Sequence, residues 1–252
     1  MTLELTGLLF HLVYLFIITT GRDSMGVQFW QMAAWLLAAC ILGFAISFIF
    51  ADRMRLPRQV FLIPYVGFTL LFLIAFVVFG KVDVGGFLAR NWPWGVLAGL
   101  LACIILVRHV RSQAFTRTAK GKGLTLGLVW DGFAYGMTDA LYLNVMPVVA
   151  VIVGTAQFEW AATLPGKIGV GVMGLLASLL VAFAYHLGYP EFRSRRMKYV
   201  PLGNSIITLA FILSGNPLGS MISHTVMHIT AVLQGPDTTI QLPPHYQISD
   251  KH

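Results

Sequence analysis

The sequence predicts an all-α membrane protein, a polytopic helical bundle of about eight transmembrane segments. Hydrophobic residues make up 57% of the 252-residue chain and charged residues only 11%, whereas soluble domains carry about 25% charged residues. The apolar residues are also grouped into runs close to the roughly 20 residues that a helix needs to cross the hydrocarbon core. Both observations favour a chain built mostly inside a membrane.

The net charge of +7 does not indicate a nucleic-acid partner, because the basic residues collect in short runs between the apolar segments. That arrangement is the one described by the positive-inside rule, so membrane lipids are the expected partner. Glu4 lies where a cleavable signal would carry basic residues, and the first run is therefore expected to be a retained helix. Cys40 and Cys103 lie within apolar runs and are expected to be buried free thiols.

Eight apolar segments follow one another along the chain. They cover residues 3–20, 29–51, 59–80, 92–107, 124–154, 170–187, 202–214 and 218–233. The fifth is too long for one perpendicular helix, so it is expected to be tilted, or broken near Gly132 and Gly136. The last two are short and joined by SGNPLG (residues 214–219), which predicts a hairpin that either crosses the membrane fully or re-enters.

Basic residues alternate from loop to loop. The loops after segments 2, 4 and 6 carry twelve Lys and Arg residues, and the intervening loops carry four. This alternation places the more basic loops and both termini in the cytoplasm of a multi-pass protein of the cell membrane. Residues 1–235 are thus predicted to form one integral membrane domain, and residues 236–252 a polar cytoplasmic tail.

Ionisable residues within the segments are candidate site residues, because each costs about 2.5–3.5 kcal/mol to insert at the middle of a membrane helix. The candidates are His11, Asp131, Asp139, His186, His224 and His228, with Thr138 and Asn144 as weaker companions. A structural role is the alternative at each position. Packing would explain His11, a helix break would explain Asp139, and a location at the membrane interface would explain His186.

Depth indicates which candidates can meet. At 1.5 Å per residue, His11, Asp131, His186 and the His224–His228 pair fall in one layer of the cytoplasmic half of the membrane. Asp139 lies deeper, unless its helix starts late or breaks. The two histidines of SHTVMHI (residues 223–229) are four residues apart and therefore share one helical face.

Three chemistries fit such a layer. Asp131, His186, His224 and His228 supply ligands for a divalent metal such as zinc. The same groups could instead activate water, with a carboxylate or histidine as base and a second histidine as oxyanion donor, or form a proton or ion path. A soluble-type zincin is excluded, because Thr225 occupies the glutamate position of H-E-x-x-H.

Three stretches together resemble the CPBP family, the CAAX-prenyl endopeptidases and bacteriocin-processing proteins also called abortive-infection proteins. In WDGFAYG (residues 130–136), Asp131 would stand for the second glutamate of E-E-x-x-x-R and Tyr135 for its arginine. A rival register, TDALYLN (residues 138–144), makes Asp139 the acid. SLLVAFAYHLGYP (residues 178–190) is similar to F-x-x-x-H, with Ala182 in place of the phenylalanine.

The third stretch, SHTVMHI, is similar to H-x-x-x-N, with His228 in place of the asparagine. The resemblance implies an intramembrane hydrolase in which Asp131 or Asp139, with His186, activates water to cleave a lipidated or juxtamembrane peptide. His224 and His228 would then stabilise the oxyanion.

The chain departs from the family pattern in three ways: it lacks the glutamate pair, the arginine and the phenylalanine. An aspartate is also one methylene shorter than a glutamate, and about 1 Å of misplacement can cost roughly 10²-fold in rate. The sequence therefore indicates either a divergent hydrolase or a relative that has lost catalysis. The alternatives are a non-catalytic protein that binds a metal or relays protons, and a scaffold.

Overall fold

The computed structural model describes residues 27–193 and 195–235. The first predicted segment with His11, and the predicted polar tail, lie outside the described residues. Within these ranges the regular elements are helical and none is a strand, as the sequence predicted.

Nine helices are present in the described residues. In chain order they are α1 (Val27–Ile46), α2 (Arg58–Phe79), α3 (Val84–Ala89), α4 (Trp92–Arg111), α5 (Gly121–Thr155), α6 (Glu159–Ala162), α7 (Leu164–Leu187), α8 (Tyr199–Ser214) and α9 (Leu218–Gln234). A π-helical turn, Ser47–Arg53, extends α1, and two 3₁₀ turns, Pro190–Phe192 and Arg195–Lys198, connect α7 to α8. Helices α1, α2, α4, α5 and α7 are long and apolar enough to cross a membrane, and α8 is a shorter apolar helix.

The long helices carry apolar side chains on the outer surface of the bundle. Leucine and isoleucine side chains such as Ile63, Leu71 and Leu176 are largely exposed on the bundle surface. Asparagine, serine, histidine and aspartate side chains of the same bundle are buried, including Asn144, Ser178 and His228. A polar interior inside an apolar surface is the arrangement expected of a membrane bundle.

Helix α5 is continuous over 35 residues, so it is not broken at Gly132 and Gly136. It is instead underwound at two π-helical turns, Leu128–Ala134 and Ala140–Val145. Between them lies a short α-helical stretch, Tyr135–Asp139. π-helical turns are rare in proteins, but those that occur are often found at functional sites. The stretch that ends at Asp139 lies between two of them.

Helix α9 packs tightly against α5 because glycines line the contact. A Cβ atom added at Gly132 would lie 3.2 Å from the Cα of Ile229, and one at Gly136 would lie 2.9 Å from the Cα of Thr225. Small residues of this kind allow two membrane helices to approach at backbone distance. The glycines of α5 therefore set the position of the helix that carries both histidines.

The α8–α9 hairpin extends along the whole of α4. At its tip, Gly215 adopts a left-handed conformation with φ of +66°, and a Cβ at Gly95, near the start of α4, would lie 2.6 Å from Asn216 Oδ1. At the opposite end, the Gln234 side chain donates to the carbonyl of Gln113, 2.6 Å away and just past α4. The α9 arm of the hairpin thus matches α4 in length.

The loops predicted to be most basic lie at one end of the bundle. Arg193, in the α7–α8 connection, forms an ion pair of 2.9 Å with Asp52 at the end of α1. Trp130 of α5 donates its indole N–H to the carbonyl of Gln59, at the start of α2, over 3.2 Å. We call this end of the molecule the basic end.

Candidate functional site

Asp139, His224 and His228 converge in the interior of the bundle. The Oδ2 atom of Asp139 lies 3.8 Å from Nε2 of His224 and 3.6 Å from Nε2 of His228. One ligand atom from each of the three residues lies within 4.8 Å of the other two. All three side chains are buried, so the group is shielded from solvent.

Local helix geometry explains how the group forms. His224 and His228 are one turn apart on α9, and their rings stack with centroids 5.0 Å apart. Gly136 lies one turn before Asp139 on α5, and a Cβ there would lie 3.0 Å from the Cβ of His228. The absence of that Cβ brings the imidazole of His228 next to the carboxyl group.

Two of the three converging side chains also hydrogen-bond to another side chain, through the atom that does not face the cluster. The hydroxyl of Tyr65, from α2, donates to Oδ1 of Asp139, which leaves Oδ2 turned toward the histidines. Nδ1 of His224 lies 2.8 Å from Oδ1 of Asn144, on α5. Outer partners of this kind orient ligating side chains in metal sites.

Tyrosines pack around the group and toward the basic end. The ring of Tyr135 contacts the ring of His228 edge-on, with centroids 4.6 Å apart. The hydroxyl of Tyr135 lies 3.2 Å from that of Tyr185, which in turn lies 2.5 Å from that of Tyr189. These three side chains are fully buried and separate the group from the turn after α7.

Asp131 does not belong to this group: the carboxyl group that meets the two histidines is that of Asp139, which the depth estimate had placed deeper. A Cβ at Gly127 would lie 3.4 Å from Val232, near the end of α9, so the first turn of α5 lies beyond that end. Further along, Gly136 lies against Thr225, so Asp139, about one turn past Gly136, reaches the level of His224 on α9. Asp131 is half-buried and interacts electrostatically with Arg58.

His186 lies beside the group rather than within it. Its Nδ1 is 2.7 Å from the carbonyl oxygen of Ala182, and its ring contacts Phe192 with centroids 4.8 Å apart. It interacts electrostatically with Asp139. The metal set predicted from sequence, His186, His224, His228 and Asp131, thus differs from the converging set of Asp139, His224 and His228.

The sequence did not reveal three contributors to the surroundings of the site. Tyr65 reads as one more apolar residue of segment 3, and Ser178 and Asn204 are single polar residues within segments 6 and 7. Tyr185 and Tyr189, by contrast, carried a usable signal, because they are four residues apart, the spacing that places side chains on one side of a helix. Asn144, weighed as a companion, proves to contact His224 directly.

The three side chains form a group that could hold a metal ion. Two imidazoles and one carboxylate suit zinc and other divalent transition metals. A tetrahedral zinc ion with bonds of about 2.0–2.1 Å holds its ligand atoms about 3.3 Å apart. The two carboxylate–imidazole distances, 3.6 and 3.8 Å, exceed that separation by a few tenths of an ångström, and all three ligand atoms lie within 4.8 Å of one another. Three protein ligands leave the fourth position for a water molecule.

Comparisons with known proteins add no assignment: no family model, no curated protein and no solved structure matches this chain. The CPBP resemblance therefore rests on the three short motifs alone.

Proposed function

We propose that this protein is an intramembrane hydrolase whose Asp139, His224 and His228 bind a divalent metal ion, zinc being the best-matched cation, together with the water that attacks the substrate. The observation that carries the proposal is the convergence of the three buried ligand atoms. It is strengthened by the outer partners Tyr65 and Asn144, which turn Oδ2 of Asp139 and Nε2 of His224 toward one point.

The ligand set supports hydrolysis rather than a purely structural metal. Structural zinc sites have four protein ligands, whereas catalytic sites have three and keep one position for water. A zinc ion in such a site lowers the pKa of its bound water to about 7 and so supplies a nucleophile at neutral pH. Burial among helices keeps bulk water away from the reacting groups.

The position of the site points to a substrate that reaches it within the membrane. Asp139 lies well inside the long helix α5, and α9 runs the length of α4. A lipidated or juxtamembrane peptide fits that position, and the CPBP resemblance points to the same substrate class, with Asp139 as the acid of the second register. We further propose that the basic end faces the cytoplasm, as the positive-inside rule predicts.

A metal-free mechanism is the second candidate, and the location of His186 favours it. The His186 ring contacts that of Tyr185, with centroids 5.1 Å apart. The Tyr185 hydroxyl lies 3.2 Å from that of Tyr135, whose ring contacts His228, so the histidine of the second motif packs against the tyrosines around Asp139. Asp139 and His186 would then activate water together, and His224 and His228 would donate hydrogen bonds to the oxyanion.

Elemental analysis of detergent-purified protein tests the metal centre. The wild type is expected to retain stoichiometric metal, and His224→Ala is expected to lose it. Asp131→Asn is the matched control, because Asp131 lies on the same helix as Asp139 but outside the group, and it should retain metal. Metal-free wild type would contradict the metal centre, as would full retention by a folded His224→Ala variant.

Peptide cleavage in proteoliposomes tests the reaction. Prenylated peptides are offered to the wild type, to Asp139→Asn and to wild type treated with a chelator, and products are identified by mass spectrometry. Metal-dependent cleavage that Asp139→Asn abolishes supports the proposal. Cleavage that survives complete metal removal favours the second candidate, whereas bound metal without cleavage of any peptide would leave a non-catalytic metal protein.

A further inference from the structure

A chain of buried hydrogen bonds leads from a backbone carbonyl to His224. Its first member is Ser178 on α7, whose hydroxyl donates to the carbonyl of Leu143 over 2.6 Å. A carbonyl can only accept, and a serine has one hydroxyl hydrogen. Toward Asn204, 2.8 Å away, the Ser178 oxygen must therefore accept, so Asn204 presents its NH₂ group to it.

That constraint fixes the next amide as well. With the NH₂ group of Asn204 turned to Ser178, its Oδ1 faces Asn144 and accepts from the Asn144 NH₂ group over 2.8 Å. Thr208 is compatible with the same orientation. Its hydroxyl lies 2.8 Å from that of Ser178 and donates to the backbone carbonyl of Asn204, and its oxygen accepts from the Asn144 NH₂ group at 2.9 Å. The Thr208 hydroxyl can rotate its hydrogen, so Ser178, tied to the carbonyl of Leu143, is the anchor that fixes the Asn144 amide.

The last link reaches the site. Because the NH₂ group of Asn144 is used by Asn204 and Thr208, its Oδ1 is the atom turned to His224, 2.8 Å from Nδ1. An amide oxygen only accepts, so Nδ1 of His224 carries the hydrogen. In the neutral ring, Nε2 is then a lone pair that faces the carboxylate oxygen of Asp139, 3.8 Å away.

We infer that Ser178, Asn204 and Asn144 are positioning residues that hold His224 as the Nδ1–H tautomer and so present Nε2 as a metal-binding lone pair. The metal-binding role given to Nε2 rests on the proposed metal centre. Without the chain, the neutral imidazole would place its hydrogen on Nε2 and donate it toward Asp139, an arrangement that blocks ligation. The chain thus keeps two acceptor atoms facing each other, which a cation between them stabilises.

Ser178→Ala tests the inference because it removes the anchor while leaving His224 and Asn144 in place. Both amides can then turn over, and Nε2 of His224 can take the hydrogen. Ser220→Ala is the matched control: Ser220 is also buried, and it donates to a backbone carbonyl, that of Ile207, over 2.8 Å, outside the chain. Each variant therefore leaves one buried carbonyl without its serine donor.

Two readouts are taken on metal-free, detergent-solubilised protein. The ¹⁵N spectrum of labelled histidine, with His224 assigned from a His224→Gln variant, reports the tautomer, and competition with a zinc-binding dye reports Zn²⁺ affinity. Wild type and Ser220→Ala are expected to show the Nδ1–H form. Ser178→Ala should shift to the Nε2–H form and bind Zn²⁺ about tenfold more weakly, within the 10–100-fold typical of outer-partner loss.

The inference is overturned if wild-type His224 carries its hydrogen on Nε2, or if Ser178→Ala matches Ser220→Ala in both readouts. Failure of the proposed function looks different, because a wild-type protein that shows the Nδ1–H tautomer but binds no Zn²⁺ contradicts the metal centre while the tautomer assignment stands.

Discussion

At the scale of single residues, the site depends on the hydrogen bonds made by the atom of each ligating side chain that faces away from the cluster. Asp139 has one oxygen tied to the hydroxyl of Tyr65, and His224 has one nitrogen tied to Asn144. A carboxylate or imidazole fixed at one end can turn only its other atom to a ligand. The outer partners therefore matter to the site almost as much as the three converging residues.

Tyr65→Phe tests this dependence at the carboxyl group. The substitution keeps the aromatic ring, which packs against Tyr135 and Tyr185, and removes only the hydrogen bond to Asp139. Zn²⁺ affinity is expected to fall about 10–100-fold, because Asp139 loses one of the two tyrosine hydroxyls, those of Tyr65 and Tyr135, that hydrogen-bond to its carboxylate. Titration of purified protein against a competing chelator measures the change.

Tyr142→Phe serves as the control for Tyr65→Phe. Tyr142 is equally buried, and its hydroxyl donates to the carbonyl of Ala39 over 2.6 Å, away from the site. Its loss should leave Zn²⁺ affinity as in the wild type. Equal weakening in both variants would show that the effect comes from the general packing rather than from the hydrogen bond to Asp139.

Sequence reasoning reached some of these residues and not others. The i, i+4 spacing of His224 and His228 suffices to place them on one face, and the structure stacks them. The choice between Asp131 and Asp139 depends on where α5 starts relative to the end of α9, a tertiary relation that hydropathy does not contain. Tyr65 was missed because a tyrosine in an apolar run carries no sign of which helix it will meet.

At the scale of elements, the contact between α5 and α9 determines whether the site can form. The two helices approach so closely at Gly136 that a Cβ there would lie 2.9 Å from the backbone of Thr225. Backbone atoms cannot rotate away as a side chain can, so the helices themselves would have to separate. His228 lies next to that contact, so its distance to Asp139 would increase as the helices separate.

Gly136→Ala is therefore expected to weaken Zn²⁺ binding and to lower stability by about 1–3 kcal/mol, the usual cost of overpacking. Metal titration and thermal unfolding in detergent measure the two effects. Gly67→Ala is the control, because a Cβ at Gly67, inside α2, meets no atom within 4 Å, and it should leave both properties near wild type. A Gly136→Ala variant with unchanged affinity and stability would contradict the packing argument.

The tip of the α8–α9 hairpin depends on one side chain. The NH₂ group of Asn216 lies within hydrogen-bond distance of the carbonyls of Phe87, Leu88 and Arg90, which share its two hydrogens, and its Oδ1 accepts from the backbone N–H of Leu218. Sequence reasoning saw only a Gly-Asn-Pro turn here, because the three carbonyls belong to α3 and the turn after it, more than 120 residues away.

Asn216→Ala should lower the free energy of unfolding by about 1–3 kcal/mol, because carbonyls buried at the tip lose their donor. Thermal unfolding in detergent is the measurement. Ser112→Ala is the comparison, since the Ser112 hydroxyl is exposed and bonds only within its own helix end, and its effect should be small. If the two variants unfold alike, the asparagine does not anchor the hairpin.

At the scale of the whole molecule, composition and charge carry most of the information. Apolar runs located the five long helices of the described residues, because the length of a spanning helix is fixed by the thickness of the bilayer. The alternation of basic residues grouped the loops that the structure brings to the basic end. Hydropathy could not show the underwound turns of α5, which arise from how that helix packs.

The orientation of the bundle is the last expectation to test, and it follows from charge alone. Positive residues are retained on the cytoplasmic side during insertion, so the basic end should face the cytoplasm and the opposite end the outside. Two exposed positions report the two ends: Lys122, at the start of α5, and Ala162, in the short α6. Each is replaced by cysteine in a background where Cys40 and Cys103 are alanine.

Intact cells are then treated with a membrane-impermeant maleimide. The Ala162→Cys variant is expected to be labelled at once, whereas Lys122→Cys should be labelled only after the cells are lysed. The cysteine-free background gives the blank, and labelling of both variants after lysis shows that each cysteine is accessible. The reverse pattern would place the basic end outside and would reverse the side from which a substrate peptide approaches Asp139.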